Sequence, residues 1–303
     1  MNAAPAAASG RAEALMAKIE NPNGGVVVIA HRGCHNRDPR AGLADNAPEN
    51  SIAGLDRCVK IGVDVMELDI RRTVDGYLVV MHDESVDRTT DGHGKVATLS
   101  LAQLRALHLK QDEGGAKAAL TDQRVSTLDE MLAASENIVL NLDVKAAIYD
   151  EVVDAVRRAG AGQRVIVKNV AGSGSPALAG IEPYRQVPFM PILSSADPAG
   201  SDLAKVAQQQ GGASKRPVAY ELPYMDGANL PALAAEARRQ GVRLWNNSLW
   251  QGFIAGYGGD IDALRDPDGV WGGQIRAGIS AIQTDEPASL LRYLRQNGDK
   301  TDK

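Results

Sequence analysis

Val27-Val28-Ile29-Ala30-His31-Arg32-Gly33, VVIAHRG in one-letter code, joins a β-branched apolar run to two cation-capable side chains and a glycine. Such a run is a buried strand, and its abrupt polar end marks the point where the strand leaves the core. The tip is either a strand meeting solvent or the floor of an active site. The pattern recurs along the chain. Apolar, β-rich runs cover 25–30, 63–70, 77–82, 137–144, 164–170, 187–193, 218–224, 242–247 and 279–284. Many are near-continuous, as in a parallel sheet covered on both faces. Helical spacing separates several of them, at 101–107 after a capping Ser100, and at 128–134, 149–158 and 230–239. Strand–helix alternation without an internal linker predicts an α/β fold, a single-domain TIM (β/α)8 barrel. Nine candidate strands are one more than a closed barrel uses, and the surplus strand has no distinguishing mark in the sequence.

The 303 residues carry a net charge of −5 with both signs interspersed. No Lys/Arg stripe interleaves with aromatics, which argues against a nucleic-acid partner. No run is long enough to span a membrane. Residues 1–24 lack the basic and apolar regions of a signal peptide, although 1–10 has the composition of a tether following a removed one. The expectation is a soluble protein, periplasmic or secreted if a signal preceded that tether, and cytoplasmic otherwise. The expected division is an N-terminal extension over 1–24, the barrel over 25–290 and a tail over 291–303. Nothing in the sequence sets the oligomeric state. Cys34 and Cys58 form either one bridge or two unrelated thiols.

Barrel enzymes work at the C-terminal ends of their strands. Those ends here carry His31-Arg32, Glu67-Leu68-Asp69, His82-Asp83, Asn246-Asn247 and Thr284-Asp285-Glu286, with Asn141 to Lys145 forming a further tip. Glu67 and Asp69 are two apart, so both carboxylates share a face, while Met66, Leu68 and Ile70 give the other face an apolar character. Side-by-side carboxylates persist near water or a cation. Asp75-Gly76 is a hairpin signal; a turn centred there pairs residues whose numbers sum to about 151, and sets His82 opposite Asp69. Asp143 and Lys145 are either a simple ion pair at the mouth or a third oxygen ligand and a phosphate contact. Three carboxylates around one point suit one hard divalent ion, Mg²⁺ or Ca²⁺. Two histidines, His31 and His82, suit general acid–base work. His35, His93 and His108 end no strand-like run and read as structural, with His108 on a helix.

His31-Arg32-Gly33, Pro48-Glu49-Asn50-Ser51, Glu67-Leu68-Asp69, Thr73-Val74-Asp75-Gly76 and Met81-His82-Asp83, in that order and spacing, resemble the glycerophosphodiester phosphodiesterases. The segments 88–94, 126–130, Trp245-Asn246-Asn247 and 283–287 extend the resemblance over about residues 25–290. It implies a TIM barrel of the phosphodiesterase type that converts a small-molecule phosphodiester to an alcohol and glycerol 3-phosphate. By that resemblance His31 and His82 are the acid and base, and Glu67, Asp69 and Asp143 bind the metal. Arg32 and Lys145 contact phosphate, while Glu49, with Asn50 beside it, supports the site. Two departures stand out. The third ligand in the family is usually glutamate, one methylene longer than Asp143. The loop from Cys34 to Ala47 is also lengthened. That loop, with Trp250, Phe253, Tyr257 and Trp271, either roofs the site or packs ordinarily; a roof would fit an alcohol moiety other than plain glycerol, and the second enzymatic reading is a phospholipase of related barrel type that cleaves lysophospholipid or sphingolipid headgroups.

Overall fold

The VVIA run forms the strand Val27–Ala30, every residue of it buried. The structure is a computed structural model that describes residues 10–212 and 215–297; most of the small-residue stretch at 1–10 lies outside the described residues. In chain order the strands are β1 (Val27–Ala30), β2 (Val65–Arg72), β3 (Leu78–Val80), β4 (Val139–Val144), β5 (Val165–Gly172) and β6 (Phe189–Ser194). They continue with β7 (Ala219–Glu221), β8 (Met225–Asp226), β9 (Arg243–Asn247), β10 (Ile254–Ala255) and β11 (Ala281–Thr284). The helices are α1 (Gly10–Glu20), α2 (Ile52–Ile61), α3 (Leu101–Ala106), α4 (Leu128–Ala134), α5 (Tyr149–Arg158), α6 (Leu203–Gly211), α7 (Leu230–Gln240), α8 (Asp260–Ala263), α9 (Gly273–Arg276) and α10 (Pro287–Asn297).

Eight parallel strands close on themselves in the order β1-β11-β9-β7-β6-β5-β4-β2, with β2 returning to β1. Val27 pairs with Ala281 on one side of β1 and Ile29 with Val65 on the other. The TIM-barrel expectation holds. The surplus strand is 77–82: β3 lies outside the ring and pairs antiparallel with β2.

The two-residue period of each strand sorts its side chains. Met66, Leu68, Ile70, Leu140, Leu142, Val165 and Val167 point outward into the layer under the helices. Val27, Ile29, Val65, Val139, Ile166, Ala219, Trp245 and Ala281 fill the lower barrel with Met16 and Ile19 of α1. Helix α1 therefore closes the floor. Arg243, wholly buried, holds it there by donating to the carbonyls of Ile19 at 2.8 Å and Lys18 at 2.7 Å. One step further along the same inward faces the residues become polar: Glu67, Asn141, Lys168, Glu221, Asn247 and Gln283, all buried. The apolar lower layer is the base on which the ionic upper layer stands.

The excursion between β2 and α4 is a small lobe with its own core of Val79, Met81, Val86, Val96, Leu104, Leu109 and Val125. Its hairpin differs by one residue from the sequence expectation. Ile70 pairs with Val80 and Arg72 with Leu78, and Met81 N donates to Asp69 O at 2.9 Å. Met81, not His82, is thus opposite Asp69. The cause is the turn. Thr73 N donates to Tyr77 O at 2.9 Å, closing a three-residue loop over Val74, Asp75 and Gly76, with Gly76 at φ 86°; a two-residue Asp-Gly loop would have given the other register. Ser100 and Thr127 cap α3 and α4 with full capping boxes. His108 lies beyond the end of α3, not on a helix, and pairs with Asp91 at 3.0 Å.

Candidate active site

The chain leaves β1 through a tight corner. Arg32 has φ 52° and Asn50 φ 54°, a region costly for an arginine, and Asn50 N donates to Arg32 O at 2.8 Å. This locks the Pro48–Ser51 motif against the tip of β1. Ser51 then caps α2 by accepting from Gly54 N at 3.0 Å. The corner is stapled by a disulfide between Cys34 and Cys58, with Cα atoms 5.3 Å apart. Of the two readings left open for the cysteines, the bridge is the one that holds.

Glu67, Asp69 and Asp143 bring one oxygen each to within 4.8 Å of one another, a set that could hold a metal ion. Hard carboxylate oxygens without sulfur suit an alkaline-earth-type ion. Cations already surround them. Lys145 Nζ lies 3.0 Å from Asp69 and 2.8 Å from Asp143. Asn50 Nδ2 donates to Asp69 at 2.8 Å. Burial opposes ionisation of Asp69, but the charges of Lys145, His82 and Arg32 outweigh it and hold the carboxyl well below its usual range. Glu67 is pushed the other way, by burial and by the Asp69 charge. Asp143 is lowered despite burial, by Lys168 and Lys145.

Arg32 sits over this group. Its backbone N donates to Glu67 at 3.1 Å and its Nη1 to Glu49 Oε2 at 3.1 Å. Glu49 is buried and also accepts two bonds from Arg88, at 2.8 and 2.9 Å. Arg88 in turn donates to Asp83 through Nε at 2.7 Å, and Asp83 Oδ1 lies 2.7 Å from His82 Nδ1. The backbone carbonyl of His82 accepts from Arg71 Nε and Nη2 at 2.9 and 2.7 Å. The one-residue hairpin offset therefore still delivers His82 beside the acidic pair, and its charge acts on Asp69.

His31 is buried, with Nδ1 2.8 Å from Asp285 Oδ1. Burial disfavours its imidazolium, yet the bond and charge of Asp285 and the charge of Glu67 raise its pKa overall. The same Asp285 oxygen lies 3.2 Å from Nε2 of His35, whose Nδ1 meets Asp112 at 2.8 Å. His35, which the sequence marks as structural, is thus joined to the network through Asp285. Burial alone would lower it, but bonds to Asp112 and Asp285 push it up to about 10. Asp285 N donates to Asp260 at 2.8 Å, which completes the support.

Sequence reasoning assigned no role to Asp285, Asp83, Arg88, Lys168 or Glu221. A lysine inside the apolar run 164–170 was the one available signal for Lys168. The late aromatics divide. Trp271 is buried and faces Tyr293 at 6.3 Å, and Tyr257 is partly buried against the same core, so both are packing residues. Phe253 stacks on Tyr224 at 4.5 Å and meets Trp250 at 5.2 Å. Tyr224 and Trp250 are half-exposed, on the loops after β7 and β9. Among the described residues no helix is long and apolar enough to cross a membrane.

The sequence model of the glycerophosphoryl diester phosphodiesterase family matches residues 31–288. A glycerophosphodiester phosphodiesterase of Caldanaerobacter subterraneus is 27% identical over 283 residues, 90% of this chain and 99% of that protein. A structure of such a protein from Parabacteroides distasonis superposes with a TM-score of 0.68 at 19% identity, covering 95% of this chain and 92% of the other. An Oleispira antarctica phosphodiesterase, solved with its product sn-glycerol-3-phosphate, gives a TM-score of 0.61 at 17% identity over 89% and 97%. The match over 31–288 begins at the first histidine of the mouth and runs to the start of α10, so it takes in every strand tip described above. The chain belongs to the glycerophosphoryl diester phosphodiesterase family and is a phosphodiesterase.

Proposed function

We propose that the chain converts glycerophosphodiesters to an alcohol and glycerol 3-phosphate, with one divalent ion, Mg²⁺ or Ca²⁺, held by Glu67, Asp69 and Asp143. The observation that carries this reading is the pairing of two carboxylate-anchored histidines, His31 with Asp285 and His82 with Asp83, around one three-carboxylate set. The product bound to the Oleispira antarctica protein supports the same product here. A bound ion supplies charge neutralisation at the phosphate and at the charge that develops there in the transition state. Arg32 and Lys145 contact the phosphate oxygens. Glu49 fixes Arg32, and Asn50 fixes Asp69. With each Nδ1 engaged by a carboxylate, Nε2 is the atom through which His31 and His82 exchange protons. One accepts the proton of the glycerol 2-hydroxyl as it attacks phosphorus, and the other protonates the leaving alcohol oxygen as its bond to phosphorus breaks; with the two roles exchanged, water then opens the resulting cyclic phosphate to glycerol 3-phosphate.

The hydrolytic unit is residues 25–290, with the preceding segment closing its floor. The Cys34–Cys58 bridge supports a periplasmic or secreted location, since such bonds persist in oxidising compartments. A second reading, cleavage of lysophospholipid, is favoured by the aromatic cluster in which Phe253 packs against the exposed Tyr224 and Trp250. The test is a panel of glycerophosphocholine, glycerophosphoethanolamine and lysophosphatidylcholine, assayed with Mg²⁺, Ca²⁺ and Mn²⁺ and with the phosphorylated product identified. Glycerol 3-phosphate from the first two supports the proposal. Lysophosphatidic acid from the third, without turnover of the others, supports the second reading; phosphocholine as the product overturns both.

A further inference from the structure

Lys168 and Glu221 lie at the inner side of the candidate ion set and have no part in the chemistry proposed above. Lys168 enters from β5 in register with Asp143. Its Nζ is 3.3 Å from Asp143 Oδ2, 3.5 Å from Glu67 Oε1 and 3.4 Å from Glu221 Oε2. Only 3% of Lys168 is exposed, so water does little to screen its charge. Asp143 therefore faces two ammonium groups, Lys145 on the mouth side and Lys168 within. Glu221 is outside the converging oxygen set. Its Oε1 accepts from Asn247 Nδ2 at 2.9 Å, while its Oε2 is buried and makes no hydrogen bond among the described residues. The buried carboxylate is thus held in place by Asn247 and turned toward Lys168.

We propose, resting on the divalent-ion reading, that Lys168 and Glu221 are positioning residues that set the charge of the ion site. Lys168 supplies a fixed positive charge that limits how tightly Glu67, Asp69 and Asp143 hold a divalent ion. Glu221 draws part of that charge away from the set. Four carboxylates, Glu67, Asp69, Asp143 and Glu221, face three cations, Arg32, Lys145 and Lys168, which leaves one excess negative charge before a divalent ion binds and one excess positive charge afterwards. Without Lys168 the loaded group would be neutral. The buried lysine therefore trades ion affinity for attraction to an anionic phosphodiester.

The test is calorimetric titration of Mg²⁺ and Ca²⁺ into the wild-type chain, Lys168→Met, Glu221→Gln and the double variant. Lys168→Met should bind the ions about tenfold tighter or more, because a unit charge is removed next to a poorly screened cation. Glu221→Gln should bind more weakly than wild type, since Lys168 is then shared by fewer carboxylates. The ion-loaded Lys168→Met protein should also bind glycerol 3-phosphate more weakly than loaded wild type. Damage to the fold would weaken both ligands together, so opposite shifts identify the charge effect. Should Lys168→Met fail to fold around an unpaired Glu221, the double variant compared with Glu221→Gln decides, and it should bind the ions tighter. Ion binding to the wild type that is unchanged or weaker on loss of Lys168 overturns the pair's role alone. No binding of either ion to the wild type removes the divalent-ion reading, and this proposal with it.

Discussion

Asp285 Oδ1 lies 2.8 Å from Nδ1 of His31, across 254 residues of sequence. The bond engages Nδ1, which leaves Nε2 for the proton exchange proposed above, and it raises the histidine's pKa against the effect of burial. Asp285→Asn should lower kcat on the order of 10²-fold and move the pH dependence governed by His31 to lower pH. A wild-type pH profile in that variant would show that Asp285 does not tune His31.

His35 offers a pH test that needs no substrate. Its folded pKa, about 10, is above the unfolded value near 6.5. The stability it contributes is therefore fully present below pH 6.5 and is lost as pH rises through about 10. Its partners Asp112 and Asp285 are depressed, chiefly by the His35 bond in Asp112 and by the His31 and His35 bonds against burial in Asp285. Their share is present above the usual carboxylate pKa and is lost as pH falls below it. Denaturant midpoints of wild type and His35→Gln should differ most between about pH 5 and 6.5 and converge toward pH 10. A gap that widens with rising pH would reverse the sign and rule out a buried imidazolium.

The contacts that escaped the sequence reading share a physical character. Glu67 with Asp69, and Asp143 with Lys145, were legible because a strand's period places such pairs on one face. His35 with Asp112 and Asp285 was not, since 77 and 250 residues separate the partners and no periodicity links a loop to a distant strand tip. Arg88 was equally hidden, inside the lobe between β2 and α4. The extra strand 77–82 has the same composition as the barrel strands, and only the hairpin turn before it sends it outside the ring. Whether that turn holds two residues or three is decided by the Thr73–Tyr77 backbone bond, which composition does not reveal.

The Cys34–Cys58 bridge closes a loop of sequence separation 24, for which chain entropy predicts about 3 kcal/mol of stabilisation. Cys34→Ala/Cys58→Ala should unfold at correspondingly lower denaturant than the oxidised wild type, and reducing agent should shift only the latter. An unchanged midpoint on reduction would show that the bridge adds nothing to the corner beside His35.

His108 is the control among the histidines. It pairs with Asp91 on the outer lobe, so His108→Ala should retain near-wild-type turnover. His31→Ala and His82→Ala should each lose about 10²-fold or more in kcat. Loss of activity in the His108 variant with retention in the His82 variant would move the site away from the strand tips.

The most direct test of the central claim is glycerol 3-phosphate release from glycerophosphocholine before chelation, after it, and after readdition of Mg²⁺ or Ca²⁺, on the wild-type chain and on folded Asp69→Asn. The prediction is that chelation abolishes release and that one of the two ions restores it in the wild type. Asp69→Asn should need a higher ion concentration and reach a lower rate. Full release by the chelated wild type, with Asp69→Asn equally active, would contradict an ion held by Glu67, Asp69 and Asp143.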